Sequence, residues 1–126
     1  MRVAWGDRTV SAFPLAGLDA TGCRIPLGTD APVESADPWR NLAAAVTRAD
    51  PAWPAGVGPF HPVQALSVER ALRAACLDPA LVAGRDDMGR LVPGARADLV
   101  VIPVEGLLDP GPRGADRREN GYRACL

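Results

Sequence analysis

Residues 24–40 read RIPLGTDAPVESADPWR, and the fold turns on what the first half of that stretch becomes. Together with Cys23 before it, the run to Gly28 is short, apolar and bounded by glycines at 22 and 28, which is the pattern of a brief buried strand. Pro26 withdraws one donor from any ladder the run joins, so an undisturbed central position is disfavoured. The run leads to an acid, Asp30, and then to Ala31-Pro32. A second acid, Asp37, precedes Pro38, and this pair starts a helix: the carboxylate accepts from an otherwise orphan N–H, while proline lacks a donor that the first turn would leave unused. The spacing predicts a helix over 38–49 with Trp39, Leu42, Ala43 and Val46 on its buried face. Asp30 thus stands between a strand and a helix. It either forms an Asx-turn before Pro32 or presents a chemically useful carboxylate at the strand's end.

Working outward, residues 14–22 (PLAGLDATG) carry apolar side chains at helical spacing and close on Gly22, a residue able to take φ > 0. Downstream, residues 50–63 contain Pro51, Pro54, Pro59 and Pro62 along with Gly56 and Gly58, so they form a long loop that neither helix nor sheet could absorb. Ser67 caps a helix over 68–77, and Asp78-Pro79 repeats the cap pattern to start a second short helix over 79–83, ended by Gly84. Pro93-Gly94 is a type II turn pair, followed by a strand over 99–104. Residues 106–126 mix breakers and charge without a sustained period and are expected to be irregular.

Composition narrows the function classes. The chain has 126 residues, enough for one domain but about half of the ~250 that a closed (β/α)₈ barrel takes. A net charge of -1 gives no electrostatic footprint for nucleic acid or anionic lipid. All 14 basic residues are arginine, which removes Schiff-base and P-loop lysine chemistry. Cys23, Cys76 and Cys125 are too far apart for a Cys-x-x-Cys zinc motif and odd in number, so a reducing cytoplasm is the simpler expectation. No apolar run approaches the ~20 residues a membrane span needs, and the first ten residues carry no secretory pattern.

Two motifs carry a family resemblance: GTDAPV at 28–33, and GRLVPGARADLVV at 89–101, whose fixed spacing is the more specific of the two. With the helices between them, residues 13–104 resemble the C-terminal part of the metal-dependent amidohydrolase superfamily, and within it amidohydrolase family 3, the branch holding N-substituted formamide deformylase-like enzymes. The resemblance implies an α/β fold: terminal βα units of a TIM-like metal-dependent hydrolase barrel over residues 1–84, then strands of the flanking small β-sandwich domain over 85–105, then the tail 106–126. It implies hydrolysis of a carbon–nitrogen bond other than a peptide bond in a small amide-type substrate, with a divalent metal, zinc first, as cofactor.

By the same resemblance Asp30 is the catalytic and metal-binding residue, the acid at the end of the eighth barrel strand that ligates the ion or takes the proton of activated water. Such a strand end faces the mouth of a barrel, where a carboxylate near a cation stays ionised. The family's H-x-H pair has no counterpart, because the single histidine is His61 on the proline-rich loop. A catalytic zinc takes about three protein ligands, so this chain alone is expected to bind no metal and to be inactive, as a fragment truncated at both ends or shifted in frame near residue 105. The rivals to this reading are a non-catalytic interaction piece that docks on a separately encoded N-terminal barrel portion, and a truncated gene product without function.

The remaining polar residues have structural readings. Asp37 and Asp78 are helix caps, Asp98 bonds the backbone, Trp39 is core before it is cleft, and Cys23 and Cys76 behave as small buried hydrophobes. His61 is a loop residue first.

Overall fold

The computed structural model describes residues 2–50 and 52–101, and everything below concerns those residues. Four helices follow one another: α1 (Arg2–Trp5), α2 (Leu15–Ala20), α3 (Pro38–Thr47) and α4 (Val68–Val82), with short 3₁₀ turns at Gly6–Ser11 and Pro62–Gln64. Helix α3 begins where Asp37 and Pro38 place it: the Asp37 carboxylate accepts from the Trp39 N–H at 3.0 Å. It stops two residues earlier than expected, because Arg48 turns left-handed at φ 57 and caps it. Ser67 caps α4 by accepting from the Arg70 N–H at 3.1 Å. Each such cap is worth about 1 kcal/mol to its helix.

Helices α3 and α4 pack on each other. Between them lie Ala45, Leu66 and Ala71, all buried, with Leu15, Leu27, Leu42 and Val46 packed around this cluster. Leu42 and Val46 therefore do serve the buried face of α3, although Ala45 is its most enclosed residue. Helix α2 leans on the Pro62–Gln64 turn, where the Gly17 N–H donates to Gln64 Oε1 at 2.9 Å. The core is made of small side chains. No large side chain among the described residues is fully buried, and Val33, Val63, Leu91, Val100 and Val101 are each more than three-quarters exposed.

Three expectations need correction. Asp78-Pro79 does not start a new helix, since α4 runs unbroken from Val68 to Val82 with Pro79 inside it. Proline in that position forgoes one intrahelical donor and crowds the carbonyl four residues back, yet the helix continues past it, and Asp78 is turned inward, 7% exposed, to serve a partner elsewhere in the chain. Cys23 and Cys76 are exposed thiols rather than buried hydrophobes. Residues 23–28 and 99–101 form no β-ladder among the described residues, because a strand exists only by virtue of a paired neighbour and none is supplied. Leu99, Val100 and Val101 are exposed at 45%, 76% and 77%. The rest of the strand expected over 99–104, and the tail 106–126, lie outside the described residues.

The Pro93-Gly94 turn has the geometry its sequence requires: Gly94 sits at φ 87 and the Ala95 N–H donates to the Val92 carbonyl at 3.1 Å. A second glycine, Gly89, is needed for closeness as well as for dihedral angle. It has φ 73, and a Cβ there would stand 2.4 Å from the Cys76 carbonyl oxygen on the backbone of α4. Gly89→Ala should therefore lower stability by about 2 kcal/mol, whereas Gly94→Ala, with open space around it, should lose only the left-handed backbone preference of about 1 kcal/mol. The Gly89 loss stays limited because the 85–101 loop can lift off α4 instead of forcing it apart. Paired urea melts read the difference, and equal losses would show that the close approach contributes nothing.

Candidate functional site

Residues 24–28 run alongside α4, and alternate N–H groups reach it. Ile25 donates to Asp78 Oδ2 at 2.8 Å and Leu27 donates to the Ala74 carbonyl at 2.9 Å. Exposure alternates in step: Arg24, Pro26 and Gly28 are exposed, Ile25 is buried, and Leu27 packs on the core. Both periods are two residues, the signature of extended backbone. The segment ends at Asp30, which takes a left-handed φ of 54, a conformation that aspartate tolerates better than most residues. Its carbonyl accepts from the Val33 N–H at 2.9 Å, so the main chain closes the turn and no Asx-turn is formed. Asp30 is exposed at the exit of the extended run, and its carboxylate makes no hydrogen bond or ion pair with the described residues. It is neither a helix cap nor an inward-facing acid.

No group of three or more His, Cys, Asp or Glu among the described residues is placed to share a metal ion. The donor set among the described residues therefore does not fit a three-ligand catalytic centre. His61, the other ligand type on offer, adopts φ 47 and sets its ring edge-on to Phe60 at 4.3 Å between centroids. Its Nε2 is buried without a hydrogen-bond partner among the described residues.

Two polar centres are structural and were missed in the sequence. Arg48 is 9% exposed and ties three segments together: its Nε donates to the Phe60 carbonyl and its Nη2 to the Phe13 carbonyl, each at 3.1 Å, while its own carbonyl accepts from the Phe60 N–H at 2.7 Å. Burial pushes its guanidinium below the ordinary arginine value. The second centre is Arg70, whose Nε donates to Asp19 and whose Nη1 lies 2.9 Å from Asp78 Oδ2. The latter contact is an ion pair by distance, with the Nη1 hydrogens off the line to the oxygen. Donation to Asp19, against some desolvation, raises the Arg70 pKa above the ordinary value. For Asp78, burial alone would raise the pKa, but the Ile25 N–H and the Arg70 guanidinium outweigh it and hold the carboxyl below the usual aspartate value.

Arg70 and Asp78 also line an open polar cleft of about 570 Å³ with Asp19, Cys23, Arg24 and Arg73. This cleft lies at the start of the extended segment, at Cys23 and Arg24, whereas Asp30 lies past its other end. No helix among the described residues is long and apolar enough to cross a membrane.

Comparison with known proteins gives one match. No curated protein and no solved structure matches this chain. The family of proteins described as the amidohydrolase family matches residues 1–119, a wider span than the 13–104 whose motifs carry the resemblance, taking in the first dozen residues and most of the tail. A match over so much of the sequence places this chain in the amidohydrolase family.

Proposed function

We propose that this chain supplies the carboxylate end of an amidohydrolase centre whose histidines lie outside these 126 residues. In this reading residues 1–84 form terminal βα units of a TIM-like barrel and residues 85–105 contribute to the small β-sandwich domain beside it. The completed enzyme works in the cytoplasm, where the free thiols of Cys23 and Cys76 are at home, and hydrolyses a carbon–nitrogen bond of a small amide or N-substituted formamide. Asp30 is the residue that acts: its carboxylate takes the proton of the water that adds to the amide carbon. One observation supports this above the others. Within a chain of the amidohydrolase family, Asp30 stands exposed and uncommitted just past an extended run, at the position of the GTDAPV motif.

Zinc would supply Lewis acidity to such a centre, but one carboxylate does not hold it. The purified chain, given zinc or manganese and a panel of N-acyl, formamide and cyclic amide substrates, is accordingly expected to show no metal-dependent turnover. Co-expressed with a barrel portion carrying an H-x-H pair, it should co-purify and turn over at least one substrate class. Turnover by the chain alone would refute the divided site, and an inactive complex on the whole panel would refute the amide-hydrolysis reading.

A further inference from the structure

The residues that follow Asp30 are unusual for a solvent-facing loop. Ala31, Pro32 and Val33 are consecutive, apolar and all exposed, and Val33, at 77%, is among the most exposed large apolar side chains described. The Val33 N–H donates to the Asp30 carbonyl at 2.9 Å, an i to i+3 bond that closes a β-turn and keeps the two Cα atoms within about 7 Å of each other. The next charged side chain, Glu34, lies outside that turn.

A single exposed valine is ordinary, whereas a run of three apolar residues left in water is disfavoured unless it serves a function. The fold of the described residues gives this run no cover. The buried cluster between α3 and α4 draws Leu27 toward it from the segment before Asp30, but residues 31–33 are not among the side chains packed around it. What meets the run is then set by its neighbour. In the reading proposed above, on which this inference rests, the amide carbon comes within reach of the Asp30 carboxylate through one water. A substituent on that amide extends over the residues that flank Asp30, and Val33 is held there by the turn.

We infer that Val33, with Ala31 and Pro32, forms an apolar lip beside Asp30 that selects amides whose substituent next to the reacting bond is apolar. Covering the lip with such a group removes apolar surface from water on both sides of the contact. A polar substituent gives up hydration there, and the turn's side chains other than Asp30 hold no group to bond it.

The test uses the co-purified enzyme and two amides of equal chain length, one ending in an alkyl group and one in a hydroxyl. The quantity read is the ratio of their kcat/KM values on one preparation, which does not depend on how much of that preparation is folded. The wild type should favour the alkyl substrate. Val33→Thr keeps the side-chain shape, the charge and the backbone N–H that closes the turn, and should lower the ratio by about tenfold, whereas Val33→Leu should keep it. An unchanged ratio in Val33→Thr, with the wild-type complex active, would overturn this inference alone. So would a folded Val33→Asp that no longer co-purifies, since the lip would then be covered by protein and not by substrate. An inactive wild-type complex, or full activity of Asp30→Asn, would instead remove the amidohydrolase reading and this inference with it.

Discussion

Replacing Asp78 with alanine is expected to lower the free energy of unfolding by about 3 kcal/mol, the largest loss from any single side chain described above. Two groups lose their partner at once. The Ile25 N–H, whose bond to Asp78 is buried, is left without an acceptor, and an orphaned buried donor costs about 1–3 kcal/mol. Arg70, with 18% of its side chain exposed, keeps only Asp19 as counter-charge, and desolvation of its guanidinium is then offset less completely. Asp78→Asn separates the two contributions. Its amide oxygen still accepts from Ile25, so only the charge is lost and the effect should be about 1–2 kcal/mol. The pH dependence carries a definite sign. The folded pKa of Asp78 lies below its unfolded value of about 3.9, so its stabilisation is complete above that value and disappears as pH falls through the folded pKa. Urea melts at pH 7 and pH 3 should show the gap between wild type and Asp78→Ala narrowing in acid. An equal gap at both pH values, or equal losses for Ala and Asn, would mean that the carboxylate charge plays no part.

Asp78 also shows where sequence reasoning ends. Asp37-Pro38 and Asp78-Pro79 are the same dipeptide with the same local chemistry, and the first is a helix start while the second lies inside a helix. The dipeptide alone does not distinguish them, although Asp78-Pro79 follows directly on the helical run over 68–77 and Asp37-Pro38 follows no helix. The difference is Ile25, 53 residues away, whose N–H draws the Asp78 carboxylate inward. Features governed by their immediate neighbours were legible: the caps at Asp37 and Ser67, the positive φ of Gly22, the Pro93-Gly94 turn and the looped course of 52–61. Arg48 was not, because a buried guanidinium bonding Phe13 and Phe60 depends on chain segments brought together only by folding. Residues 23–28 fall between these cases. Their apolar run between glycines signals extended backbone, but whether such a run becomes a strand is decided by what lies beside it, and here that is a helix. Asp30 was singled out by motif alone, and no pattern of periodicity or capping would have distinguished it from the other acids.

Asp30→Asn is expected to abolish activity in the completed enzyme of the proposed reading while leaving the fold of this chain unchanged, and the separation of those two effects is what makes it informative. Asparagine is the best replacement for an aspartate at φ 54, since among residues with a Cβ it takes the left-handed region most readily. The turn is closed by the Asp30 carbonyl, which the substitution retains. The exposed carboxylate has no described partner to lose, so stability should change by no more than about 0.5 kcal/mol. An amide cannot take a proton from the attacking water at neutral pH, and loss of a positioned base typically lowers kcat by about 10²–10⁴-fold. Asp30→Glu, with the charge kept but displaced by one methylene, should recover part of that loss. A purely structural turn residue gives the opposite result: both variants active, with any loss visible in the melt and absent from the rate. Activity of Asp30→Asn within a few-fold of wild type would remove this residue from the chemistry, and with it the reason to look for the remaining ligands beyond these 126 residues.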